Sequence, residues 1–139
     1  MSARRNNENR SDSRRYYDWL DKAQSDIRGA LILKTYGGDN SLVAFHCHQA
    51  IEKALKGYLL YKTGRHFDGH SLIFLCRQAA RQDETFREYV DESTILNDYY
   101  IETRYPTDIP TEVTDDEVIR LYTMAEQMFR MIKLEIYEE

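Results

Sequence analysis

From Ser13 onward the apolar positions of the chain recur at three- and four-residue spacing, the signature of helices with one buried stripe. Tyr16, Trp19, Leu20, Ala23, Ile27, Ala30 and Leu31 form the first such stripe, which the Gly37-Gly38 pair ends. Asp39 or Asn40 offers a side-chain oxygen to cap a second helix, running from about Ser41 to Tyr61 and stopping at Thr63-Gly64. Val43, Cys47, Ala50, Ile51, Ala54, Leu55, Tyr58 and Leu59 share one broad face of it. After a short polar loop, Arg65 to Gly69, a third segment places Leu72, Leu75, Cys76 and Ala79 on one side.

Asp83 or Thr85 starts a further helical stretch through Phe86, Tyr89 and Val90, and a break is expected near Asp91-Ser93 before Leu96, Tyr99 and Tyr100. Pro106 and Pro110 disfavour helical geometry at the residues before them, so Arg104 to Val113 reads as an extended connector. Thr114 with Glu117 forms a capping box whose acidic first turn suits the helix dipole. The last helix carries Val118, Leu121, Tyr122, Ala125, Phe129, Ile132 and Ile136. No alternating pattern signals a strand. The expected fold is all-α, an antiparallel (up-and-down) bundle of four to five helices.

Composition supports this without changing it. A chain of 139 residues with 42% hydrophobic residues, 6 Gly and 2 Pro suits one globular domain built of long helices. Residues 1–13 read as a disordered Arg-rich tail and residues 14–139 as the bundle. Charge is uneven: residues 1–15 carry +3, the remainder −8, for −5 overall. That balance argues against a dedicated duplex-DNA binder, while the tail is open to a solubilising role or to contact with nucleic acid or an acidic partner. Cys47 and Cys76 lie in apolar stripes and read as core residues of a reducing compartment. With no membrane-spanning run and no secretory signal, a cytoplasmic location is the simplest expectation.

Candidate chemistry gathers on the second helix. His46, Gln49 and Lys53 fall within about 60° of one another on the helical wheel, with Lys56 just beyond. Such a line can receive a phosphate or a partner carboxylate, or it can be a solvated flank holding a hydrogen-bonded histidine. His46 and His48 point about 160° apart and cannot share a tetrahedral ion, so neither a metal nor a cofactor is expected. Tyr99, Arg104 and Tyr105 form a Tyr/Arg surface suited to a protein interface or to base stacking; Arg104 can equally pin the connector to a carboxylate such as Asp98.

The run from Ala44 to Leu59, with His46 followed by Gln49-Ala50-Ile51-Glu52-Lys53-Ala54-Leu55-Lys56, resembles the HEPN family signature. Trp19-Leu20 with Ala23 and Ala30, His70-Ser71-Leu72 with Leu75, and Arg104-Tyr105-Pro106 are similar, in order, to other features of that family. The resemblance implies a compact helical bundle, often homodimeric. It also implies a small nucleotidyltransferase-type partner in a toxin–antitoxin-like arrangement, and nucleotide binding. Many relatives are metal-independent ribonucleases using an Arg-x4–6-His motif across a dimer interface. Arg65 and His70 have that spacing and could supply the cation and the acid/base, but they lie between the second and third helices, whereas relatives place the motif on a late helix. The expected function is therefore a homodimeric interaction module that binds such a partner or a nucleotide. A ribonuclease acting on RNA through Arg65 and His70, or through Arg104 with a histidine from elsewhere in the dimer, is the alternative. Nucleotide binding without turnover at His46, Gln49 and Lys53 is a third reading.

Overall fold

In the computed structural model the chain forms five α-helices and one 3-10 segment among the residues described, 12–104 and 112–137, with residues 100–104 described in backbone only. They are α1 (Tyr16–Thr35), α2 (Asn40–Thr63), α3 (Leu72–Gln82), the 3-10 turn Glu84–Tyr89, α4 (Val90–Arg104) and α5 (Asp115–Tyr137). Tail residues 1–11 and the connector with Tyr105, Pro106 and Pro110 lie outside the described residues. No described helix is long and apolar enough to cross a membrane.

The punctuation of the sequence sets the boundaries. Asp39 caps α2 by accepting from the Ser41 amide at 2.8 Å, and Gly64 ends it at φ 71°, a left-handed conformation that costs glycine little. Ser71 caps α3 through the Phe74 amide, and Asp83 caps the 3-10 turn through the Thr85 amide. The expected box at α5 is complete: the Glu117 amide donates to Thr114 Oγ1 at 3.1 Å, and the Thr114 amide donates to Glu117 Oε1 at 3.2 Å.

Two expectations need correction. The break expected near Asp91-Ser93 is absent, because α4 runs through it with Ser93 buried and Asp91 and Glu92 in a favourable acidic first turn. The irregularity falls earlier, where Asp83 leaves helical geometry and the 3-10 turn swings Phe86 into the core. Nor is α2 a helix with one core face and one solvated flank. It is the central element, packed against α1, α3, α4 and α5, and buried residues occupy most of its girth. Its close approach to α1 depends on Gly57, where an added Cβ would lie 3.1 Å from Trp19 Cβ and 3.2 Å from the Tyr16 carbonyl oxygen.

The core is aliphatic around a Tyr58–Phe86 ring pair with centroids 4.4 Å apart. Cys47 and Cys76 are free and buried, as their stripes predict, and burial pushes the Cys47 thiol up to about 12.

Candidate functional site

The polar residues of α2 converge on two carboxylates. The first is Asp26, in the apolar stripe of α1 between Ala23 and Ile27 and only 11% exposed at its side chain. His46 Nδ1 donates to Asp26 Oδ1 at 2.9 Å, and Lys53 Nζ donates to Asp26 Oδ2 at 2.6 Å. His46 and Lys53 stand two turns apart on the same side of α2, so one acid on α1 reaches both.

The second carboxylate is Glu52, on α2 itself and 7% exposed. Lys56 Nζ, one turn on, donates to Glu52 Oε2 at 3.1 Å, and His70 Nδ1 donates to Glu52 Oε1 at 2.9 Å. His48, with no exposed side-chain surface, donates from Nε2 to the His70 carbonyl at 3.0 Å and sits 3.8 Å from Glu52 Oε1. Burial lowers its pKa to about 4, against the opposing pull of Glu52, so His48 is a neutral imidazole at pH 7. Asn97 Oδ1 on α4 accepts from the Leu72 amide at 3.1 Å, joining α4 to the start of α3 beside these groups. The α2–α3 loop is thus fastened to the helix that precedes it, and His66 fastens its other end by donating from Nε2 to the Ser13 carbonyl at 2.8 Å.

These distances place each residue singled out from the sequence. His46 and Lys53 come together on Asp26, while Gln49 between them is half-buried at the α1 side of α2. Lys56 belongs to the Glu52 centre. His46 and His48 leave α2 on opposite sides, one toward α1 and one toward the α2–α3 loop. Arg65 and His70 flank the same loop but engage different partners: the Arg65 guanidinium lies 5.6 Å from the Phe67 ring centroid, and His70 holds Glu52. Tyr99 is partly buried against the core; Arg104 is the last residue of α4, its side chain outside the described set together with Tyr105.

Sequence reasoning missed the two acids that organise the site. Asp26 interrupts an apolar stripe, and a charge at a core position is the signal that would have found it. Glu52 stands inside the signature run beside buried Ile51, yet helical periodicity could not show that α2 has no solvated side for it.

Away from both centres, α1 and α5 border a groove of about 450 Å³. Ile27 and Phe129 lie beneath it, and Leu31, Leu134 and Tyr137 stand 42–53% exposed along it.

The sequence model of the HEPN domain matches residues 16–136, from the first residue of α1 to the last turn of α5. The crystal structure of TT1696 from Thermus thermophilus is similar at 28% identity and a TM-score of 0.78, over 87% of this chain and 98% of that one. The archaeal HEPN homologue ST0689 is similar at 24% identity and a TM-score of 0.70, over 88% and 98%, a likeness of fold. No curated protein matches the chain. With the family match spanning every helix of the bundle, the chain belongs to the HEPN domain family.

Proposed function

We propose that this chain is an interaction module that forms a homodimer and docks a nucleotidyltransferase-type partner in a toxin–antitoxin-like pair. One observation carries the reading: His46, Lys53, Lys56 and His70 are hydrogen-bonded to carboxylates within the fold, whereas α1 and α5 turn a row of apolar side chains outward. Lys53 and His46 are committed to Asp26, and Lys56 and His70 to Glu52. A phosphate at this line would have to compete with carboxylates already in place. Leu31, Leu134 and Tyr137 line the α1–α5 groove together with Arg28, Arg130 and Lys133, the mixture of apolar, tyrosine and arginine side chains that a protein interface uses.

Size-exclusion chromatography with light scattering tests the dimer. The expected result is a dimer at micromolar concentration that Leu134→Glu converts to a folded monomer. A wild-type monomer at that concentration overturns the homodimer.

A ribonuclease reading draws on one specific contact. Glu52 orients the His70 imidazole through Nδ1, as a carboxylate orients a general base, and the His70 side chain is 58% exposed. Under that reading, single-stranded RNA is cut in the presence of chelator and the cutting is lost in His70→Ala. Intact RNA in both conditions removes it.

A further inference from the structure

We infer that Arg77, Arg81 and Arg87 form a binding site for a phosphate monoester dianion. Arg77 and Arg81 stand one turn apart on the exposed face of α3, about 6 Å along its axis. Arg87 joins them from the 3-10 turn. The three line one pocket of about 320 Å³, with Ala80 and Val90 supplying its apolar wall. The site shares no residue with the Asp26 and Glu52 centres and does not depend on the function proposed above.

The gathering of these cations is not explained by the fold. Like charges four residues apart on a helix repel, and the chain has 24 acidic residues against 19 basic ones with which to neutralise them. Yet Arg77 and Arg81 form no ion pair among the described residues. Arg87 reaches Glu84 only at 4.0 Å, between side chains 72% and 85% exposed, where an ion pair contributes little. The helix dipole accounts for Arg81, in the last turn of α3, but not for the other two.

The chemistry of the pocket selects its ligand. Guanidinium groups present planar forks that match the oxygens of a phosphate, and all three cations here are arginines. Their attraction for an anion scales with its charge, so a monoester carrying nearly two charges is favoured over a diester carrying one. Phe74 lies three and seven residues before Arg77 and Arg81, on the same stripe of α3, and is 45% exposed. It offers an apolar contact to whatever bears the phosphate. A phosphorylated side chain of a protein partner and a small phosphate ester present the same group.

Arginine Nε–Hε resonances followed by NMR at constant ionic strength test the site. The expected result is saturable shifts at Arg77, Arg81 and Arg87 with inorganic phosphate and with phenyl phosphate, and binding of dimethyl phosphate about tenfold weaker or more. The double variant Arg77→Ala/Arg81→Ala, folded by circular dichroism because both positions are exposed, loses about tenfold or more in affinity. A phosphoserine peptide that binds tighter than phenyl phosphate supports the site and assigns it to a modified protein; the reverse order supports it and assigns it to a small ester. Shifts that sodium chloride produces equally in a parallel titration, or an affinity unchanged in the double variant, overturn it. So does tighter binding of a short RNA without a terminal phosphate, which would make the ligand a diester.

Discussion

His46 and Lys53 show what one acid does to a pair of residues that otherwise look like a ligand site. Asp26 is nearly enclosed between α1 and α2, and its charge is balanced there by the Lys53 ammonium and by a hydrogen bond from His46. Removing the acid breaks the Lys53 ion pair and the His46 hydrogen bond together, so Asp26→Ala is expected to lower stability by about 3 kcal/mol. Lys53→Met, at a side chain 28% exposed, leaves Asp26 its His46 bond and is expected to cost about 1 kcal/mol. Urea denaturation of both variants checks the ratio; equal losses would contradict this account. With its cations so engaged, the line is expected to bind ATP and GTP too weakly for detection, and isothermal titration at millimolar nucleotide should give no heat.

His48 gives the residue scale its pH dependence. Its folded pKa, about 4, lies below the ordinary 6.5 because burial disfavours the charged ring. The unfolded chain therefore binds the proton more readily than the folded one between those values. The contribution of neutral His48 is fully present above pH 6.5 and is lost as pH falls toward 4, by up to about 3 kcal/mol. Chemical denaturation at pH 7.5, 5.5 and 4 should show that fall, and a smaller one in His48→Gln.

At the scale of elements, α2 decides the architecture because it has no side to spare for solvent. The helix boundaries were legible where Asp39, Gly64 and the Thr114–Glu117 box stand, local devices each closed by atoms a few residues away. The start of α4 was not, since Phe86 is drawn into the core beside Tyr58, a partner 28 residues earlier that no local pattern reveals. The contact between α1 and α2 is equally non-local. At Gly57 an alanine gains helix propensity of about 1 kcal/mol, but its methyl meets Trp19 and the α1 backbone at 3.1–3.2 Å. Helix backbone cannot give way as a side-chain tip can, so Gly57→Ala is expected to lose about 1 kcal/mol net, read as a lower thermal midpoint. A raised midpoint would mean that the two helices separate more easily than their packing implies.

At the scale of the whole molecule, the bundle separates its inward polar network from its outward contacts. The Asp26 and Glu52 centres tie α1, α2 and the α2–α3 loop together, and Asn40 ties the start of α2 to α5 by donating to the Val113 carbonyl at 2.8 Å and to Asp115 at 2.9 Å. The tyrosines, expected to present a surface around Tyr99 and Tyr105, also gather elsewhere. Tyr16 has Tyr17, Tyr61 and Tyr137 within 6.2 Å between ring centroids, beside the ends of α1, α2 and α5. Tyr137 also lines the α1–α5 groove, so the aromatic cluster continues into the face proposed for dimer contact.

The sequence by itself determined the all-α class, the family and most helix ends, because periodicity, caps and a contiguous signature are properties of neighbours along the chain. Only the tertiary structure decided what the signature residues do. A helical wheel gives the direction in which His46, Lys53 and Lys56 leave the chain, but Asp26 stands 20 residues from His46 and 27 from Lys53. Glu52 meets His70 across 18 residues. Whether a polar face on α2 meets water, a ligand or a buried carboxylate depends on what packs against it, and packing is settled by the bundle as a whole.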